Sequence, residues 1–314
     1  MLDVVTALFT HSDCLDHITP PGHPEQVARL RAIGVALADA RFDGLRREDA
    51  PLAADEDILR CHTKEYLDRV RAAVPDDGFV SLDADTHMSS GSLRAAYRGV
   101  GANIAAVDMV LGGDVANAFV ACRPPGHHAE TAISMGFCLF GNLSIAVKHA
   151  LDHHGLARVA AVDFDVHHGN GTQDLLWSEA RALFCSTHQM PLYPGSGALQ
   201  EAGGHGNIMN RPLQPMSGSA AMRQVYDGAI FPAIEAFQPE LILVSAGFDA
   251  HADDPLANLN WSTEDYAWLT GRICDVAGAC CGGRIVSTLE GGYDLHALAA
   301  SVAAHVSVLM ERGQ

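Results

Sequence analysis

Asp163–Gln173 reads DFDVHHGNGTQ and directly follows the apolar run Val159–Ala160–Ala161–Val162. Within it lie two carboxylates (Asp163, Asp165), two imidazoles (His167, His168) and a glycine-rich exit through Gly169 and Gly171. A short β-branched run that breaks into polar residues reads as a buried strand delivering its end to a loop. In an open parallel sheet, that is where chemistry collects. Asp165 and His167 are two residues apart, so their side chains leave the same face of an extended segment. A carboxylate and an imidazole converging in this way supply two-thirds of a three-ligand zinc site, with a position left open for water.

The same grammar extends outward along the chain. Short β-branched runs at Val4–Phe9, Ala118–Cys122, Arg158–Phe164, Leu183–Ser186, Leu241–Ser245 and Arg284–Leu289 predict strands. Segments of helical length and composition separate them: Glu25–Ala38, Ser92–Leu111, Leu143–His153, Ala220–Ala236, Thr263–Ala279 and Leu295–Met310. Such alternation predicts an α/β fold with a mostly parallel sheet and helices on both faces. Five polar clusters each follow one of these strands: Arg123–Glu130, Asp163–Gly171, Ser186–Gln189, Ser245–His251 and Leu289–Asp294. Parallel strands send all such loops to one edge of the sheet, so these distant groups are expected to meet in one cleft.

Composition narrows the function classes. The chain has 314 residues, 48% of them hydrophobic and 18% charged, which is ample for a buried core and argues against disorder. No repeat, low-complexity tract or long linker divides it, so a single domain over residues 1–314 is expected. The net charge of -18 disfavours nucleic-acid binding and would attract cationic substrates. The eight cysteines lack C-x-x-C spacing or a disulfide-framework pattern, which predicts reduced thiols and a cytoplasmic setting. Met1–Leu2–Asp3 opens without a basic region or a signal-length apolar run, and Ala297–Met310 is too short to span a bilayer. No membrane partner is expected.

Taken as a set, PPGHHAE at Pro124–Glu130, GFC at Gly136–Cys138, DFDVHHGNGTQ, YPGSG at Tyr193–Gly197, SAGFDAH and EGGY resemble the histone deacetylase superfamily, specifically its class II-like bacterial deacetylases and amidohydrolases. The resemblance runs from His23–Pro24–Glu25 to the LEGGYD segment. It implies an arginase-like three-layer sandwich around a mostly parallel eight-stranded sheet, and zinc-dependent removal of acetyl or other acyl groups from lysine or lysine-like amines.

Matched position by position, the resemblance makes Asp165, His167 and Asp249 the zinc ligands. His128 becomes the general base and acid, with His127 as its electrostatic partner; Asp163 orients His127 and Asn170 orients His128. Tyr293 takes the role of donor to the developing oxyanion, preceded by Gly291 and Gly292. Phe137, after Gly136, becomes one wall of an acyl-lysine tunnel. Tyr193 becomes the opposing wall, where many relatives carry phenylalanine. Leu256 stands where polyamine-directed relatives carry an acidic gatekeeper, and Asp85 reads either as a rim acceptor or as a solvated loop aspartate. A structural potassium ion would take the side chains of Asp163, Asp165 and Ser186 with the carbonyls of His167 and Thr187. Arg29 resembles the arginine beneath the catalytic chamber but also fits an ordinary helix surface. His168, His188 and His251 are not expected to be ligands, since extra imidazoles would close the site.

Three other functions compete with the acyl-lysine hydrolase: an acetylpolyamine amidohydrolase with the same machinery, a non-catalytic acyl-lysine binder, and a two-metal ureohydrolase. An intact Tyr293, His128 and ligand set oppose the binder. The paired His127–His128 and the shortage of further convergent carboxylates oppose the ureohydrolase. Substrate, acyl length, oligomeric state and a zinc-or-iron choice are not readable from the sequence.

Overall fold

The computed structural model describes residues 5–313. Met1–Val4, including the first residue of the expected strand Val4–Phe9, and Gln314 lie outside the described residues. Among the described residues there are ten strands: β1 (Thr6–Thr10), β2 (Arg46–Asp49), β3 (Val80–Ser81), β4 (His87–Met88), β5 (Asn117–Val120), β6 (Val159–Asp163), β7 (Ala182–Gln189), β8 (Ile208–Leu213), β9 (Leu241–Ala246) and β10 (Ile285–Leu289). Eight of them form one sheet in the order β2-β1-β5-β10-β9-β6-β7-β8, while β3 and β4 make a separate hairpin. Every pairing in the large sheet is parallel, so the expectation of a mostly parallel sheet becomes a wholly parallel one.

The strands of this sheet work at a period of two. Leu8, Phe119, Ala160, Val162, Ile242, Val244 and Ile285 point to one face. There they pack with Tyr266, Leu269 and Ile273 of helix Thr263–Cys281 and with Leu298 and Val302 of helix Leu295–Arg312. The residues between them (Phe9, Val120, Ala161, Leu243 and Val286) point the other way, onto Ala102, Ala106 and Val107 of helix Ser92–Gly112 and Leu143 and Val147 of helix Asn142–Asp152. Two apolar faces on one sheet demand a helical layer on each, which gives the three-layer sandwich.

The two edges escaped the sequence reading for a physical reason. β2 is RRED, mostly exposed, and β8 carries Pro212; both suit an edge strand, where charge and proline block further pairing. β7 also runs three residues beyond its expected end, because His188 and Gln189 pair with Pro212 and Leu213. The expected helix Glu25–Ala38 shortens to Ala28–Ala36, and Ala220–Ala236 divides into Ser219–Val225, a wider turn at Tyr226–Ile230, and Phe231–Phe237.

Candidate active site

The five polar clusters leave β5, β10, β9, β6 and β7, which are consecutive in the sheet. Their carboxyl ends therefore form one continuous edge. Register fixes the neighbours: Asp163 at the end of β6 lies opposite Ser245 of β9 and Ser186 of β7.

Asp165, His167 and Asp249 converge on this edge with one ligand atom each within 4.8 Å of the others, all three buried. His167 Nδ1 lies 3.1 Å from Asp165 Oδ1 and 3.2 Å from Asp249 Oδ2. Backbone amides occupy further carboxylate lone pairs: Gly291 N–H donates to Asp165 Oδ2 (2.8 Å) and Val166 N–H to Asp249 Oδ1 (2.9 Å). The Gly291 backbone approaches so closely that a Cβ there would overlap the carboxylates of Asp249 and Asp165, which accounts for glycine at that position. The donor set fits a divalent cation. Burial together with Asp165 pushes Asp249 up to about 7, and burial raises Asp163 and Glu290 beside it. Asp165 is held low against burial by His127 and His167. Buried acid in this excess calls for positive charge at the centre of the cluster.

His127 and His128 stand with ring centroids 4.0 Å apart. His127 Nδ1 is 3.0 Å from Asp163 Oδ2, and His128 Nδ1 is 2.7 Å from Asn170 Oδ1. The second contact determines a tautomer. Asn170 Nδ2 donates to Glu130 Oε1 at 2.7 Å; a carboxylate accepts, so the amide oxygen faces His128 and receives its Nδ1–H. The neutral His128 ring is left with a lone pair on Nε2. The two imidazoles are also driven apart electrostatically. Burial disfavours the His127 cation, but Asp165 and Asp163 outweigh it and hold its pKa well above the usual histidine value. Burial, His127 and His167 push His128 well below that value. Opposed shifts on adjacent groups are the pattern expected of an acid–base pair.

Behind Tyr293 lies a buried ionic network. Arg29 is fully buried, which rules out the helix-surface reading. Its Nε donates to Gly292 O (2.6 Å), Nη2 to Glu290 O (2.5 Å) and Nη1 to Glu25 Oε1 (3.0 Å), and its guanidinium lies 4.9 Å from the Tyr293 ring centroid. Glu25 also binds Arg123 and approaches His17 Nε2 at 3.3 Å. Glu290 Oε2 accepts from the amides of Gly126 (2.7 Å) and His127 (3.2 Å), so the tyrosine loop and the histidine loop share one anchor. Asp254 Oδ2 accepts from Tyr293 N–H at 2.7 Å while its Oδ1 accepts from Leu256 N–H at 3.0 Å. Sequence reading assigned nothing to Glu25, Glu130, Asp254 or Glu290; acids inside the HPE, HHAE, DDP and EGGY motifs were the available signal.

A cavity of about 260 Å³ opens over this machinery, lined by Pro24, Asp85, His128, Gly136, Phe137, His167, Leu192, Tyr193, Leu256 and Tyr293. Phe137, Gly136, Tyr193, Leu256 and Asp85 thus line one space with His128 and His167. Phe137 has φ +69°, a left-handed conformation, and is held there by its N–H donating to Thr86 Oγ1 at 3.0 Å. Gly136 precedes it at φ +54°, where a Cβ would strike the His128 ring. Tyr193 is 39% exposed, within reach of water at the cavity mouth, and Leu256 is half-buried. His168 and His188 turn away from the Asp165–His167–Asp249 cluster, to Ser196 Oγ (2.8 Å) and to Ser186 Oγ (2.9 Å) with Gly197 O (2.9 Å).

A family model described as the histone deacetylase domain matches residues 23–309. The chain belongs to the histone deacetylase family. It is 41% identical to a histone deacetylase-like amidohydrolase of Pseudomonas aeruginosa, across 92% of this chain and 81% of that protein. It is 40% identical to the chloroplastic histone deacetylase 10 of Oryza sativa subsp. japonica, across 94% of this chain and 71% of that one. A probable deacetylase of Archaeoglobus fulgidus is 38% identical over 93% of this chain and 82% of its own. The crystal structure of the HDA15 HD domain superposes with a TM-score of 0.93 at 32% identity, covering 98% of this chain and 89% of that one. Membership of the histone deacetylase family accounts for the arginase-like sandwich and supports a deacetylase or amidohydrolase activity. Among the described residues no helix is long and apolar enough to cross a membrane.

Proposed function

We propose that residues 1–314 act as one catalytic domain, a zinc-dependent amidohydrolase that removes acetyl or another acyl group from lysine side chains or lysine-like amines. One observation carries this reading: of three converging donors, Asp165, His167 and Asp249, His167 lines a cavity together with His128, whose Nδ1 is engaged by Asn170. When bound, the ion supplies Lewis acidity, making water acidic near neutral pH and drawing charge from the amide carbonyl.

The chain's own groups do the rest. His128 Nε2 accepts the proton of the attacking water and returns it to the leaving amine. Asn170 places the neutral ring's proton on Nδ1, while burial and the positive charge of His127, itself backed by Asp163, keep Nε2 unprotonated at the start. The Tyr293 hydroxyl donates to the oxygen that gains charge. Burial raises its pKa well above the ordinary phenol value, which keeps the donor proton in place. The backbone at Gly291 and Gly292 carries Tyr293 close to the ligands. Gly136, Phe137 and Tyr193 confine a methylene stem, Leu256 gives that stem an apolar contact, and Asp85 accepts from substrate at the rim. A structural potassium ion is proposed at Asp163, Asp165, His167, Ser186 and Thr187; the Asp163–Ser186 register and the buried acid beside it support the site. The cytoplasm is proposed as the compartment, in keeping with eight free thiols. The partners are small-molecule or peptide acyl-amines, with neither nucleic acid nor membrane among them.

An acetylpolyamine substrate is the second reading, favoured by one feature, an acidic residue, Asp85, among those that line the cavity. A panel of acetyl-lysine peptides, longer acyl-lysines and acetylated polyamines, assayed on one zinc-loaded preparation, separates the two. Acyl-lysine is expected to show the higher kcat/KM. A strong preference for acetylpolyamines would reverse the order, and no hydrolysis of any member would remove both.

A further inference from the structure

A second group of imidazoles lies at the opposite edge of the sheet. Helix Asn142–Asp152 runs back against the strands and ends where the chain turns into β6, at the amino end of the strand whose carboxyl end carries Asp163. The five residues of β6 alone separate the two edges by roughly 16 Å at the usual strand rise. His149 and His153 sit four residues apart on one helix face, and their rings stack with centroids 4.8 Å apart and planes 15° apart. Gly155, at φ +70°, reverses the chain immediately afterwards and leaves the His154 ring 5.3 Å from that of His149.

One ring nitrogen of each of the three histidines lies within 4.8 Å of the others. A fourth donor comes from a different helix, Ser92–Gly112. Asp108 Oδ1 is 2.7 Å from His149 Nε2 and 2.7 Å from His154 Nε2. Two imidazoles thus aim at a single carboxylate oxygen. His149 is 5% exposed, and its Nδ1 is buried without a hydrogen-bond partner. Nothing on that side of the ring fixes the tautomer, so Nε2 can present either a proton to Asp108 or a lone pair to an ion.

We propose that His149, His153, His154 and Asp108 form a second metal site, for a borderline transition-metal dication such as Zn²⁺, Ni²⁺ or Cu²⁺, that staples helix Asn142–Asp152 to helix Ser92–Gly112. Three imidazoles and one carboxylate oxygen are a donor set these ions favour, and Mg²⁺ or Ca²⁺, which want oxygen, do not. Two of the ligands, His153 and His154, are exposed, so an ion has direct access from solvent. Because His149 lacks a partner on its second nitrogen, affinity is expected to fall about 10- to 100-fold short of a site with full outer support. The site touches none of the catalytic groups, and its filling is expected to change stability rather than turnover.

The test uses the full chain, with wild type and the double variant below already loaded at the catalytic centre. Wild type, His153→Ala/His154→Ala and, separately, His167→Ala are equilibrated with Zn²⁺ or Ni²⁺, freed of unbound ion, and analysed for bound metal and melting temperature. Wild type is expected to hold one equivalent more than the double variant and to melt higher with the added ion. The double variant should keep its catalytic metal and wild-type turnover, and His167→Ala should keep the peripheral equivalent. Equal stoichiometry in wild type and double variant, or loss of the extra equivalent in His167→Ala alone, would overturn the proposal.

Discussion

The guanidinium of Arg29 lies under the ring of Tyr293, 4.9 Å from its centroid, while its Nε holds the carbonyl of the preceding Gly292. One side chain therefore fixes both the backbone and the ring of the residue assigned to the oxyanion. Arg29→Met is expected to lower kcat by about 100-fold through misplacement of Tyr293, with a smaller change in KM. It should also cost about 3–5 kcal/mol of stability, since Glu25 loses one of its buried partners. Steady-state kinetics and urea unfolding of the same preparation check both. Wild-type kcat would show that Glu290, Asp254 and the glycines hold the loop unaided.

His167→Ala and Asp249→Ala are each expected to lose metal and activity together, because three protein ligands are the minimum for a catalytic zinc site. Elemental analysis of the catalytic equivalent checks this. Full occupancy with unchanged turnover would move the metal elsewhere.

Tyr293→Phe is expected to retain metal and substrate binding while kcat falls about two to three orders of magnitude, the range for one lost oxyanion donor. A change confined to KM would make the tyrosine a binding residue.

Leu256 shares the cavity wall with Asp85, and its backbone is tied to Asp254, so a substitution there alters the mouth without releasing Tyr293. Leu256→Glu is expected to shift the kcat/KM ratio toward acetylpolyamine over acetyl-lysine by at least about tenfold, equal to 1.4 kcal/mol. Paired assays of the two substrates on each protein give the ratio directly.

Stability is expected to fall on acidification through buried neutral histidines. Burial pushes His305 down to about 3, and its ring is held by Thr270 Oγ1 (2.7 Å) and Ser287 Oγ (2.9 Å). Between pH 6.5 and that value the unfolded chain binds a proton that the folded one refuses, so unfolding becomes easier as pH falls. His305→Gln keeps a polar partner for both hydroxyls without the titration. The drop in unfolding free energy between pH 7 and pH 5 should shrink by about 2 kcal/mol in the variant. Identical drops would mean that His305 takes its proton inside the fold.

Period and punctuation made much of this legible. The two-residue spacing of Asp165 and His167 brings both side chains into one cluster with Asp249, and the motifs after β5, β6, β9 and β10 arrived at one edge as parallel strands require. What stayed hidden depends on contacts that no local pattern encodes. Arg123 meets Glu25 across 98 residues and Arg29 meets the Glu290 carbonyl across 261. In sequence, Arg29 has the surroundings of any helix arginine. β2 was invisible because an exposed RRED edge carries charge where a central strand carries apolar side chains. Asp108 could not be joined to His149 without knowing that their two helices pack together.

The wholly parallel sheet makes this enzyme indivisible. Asp165 and Asp249 come from strands that are neighbours in space but not in order, with β7 and β8 formed between them in the chain. Tyr293 is delivered by β10, which inserts in the middle of the sheet between β5 and β9 rather than adding to an edge. The last strand made is thus a central one, and its absence leaves a gap between two unfinished half-sheets. A chain that lacks β10 is expected to have no activity, since it lacks Tyr293 as well as the central strand. Pairings this distant close slowly, so turnover reports that the entire topology has been completed, not that any one part has folded.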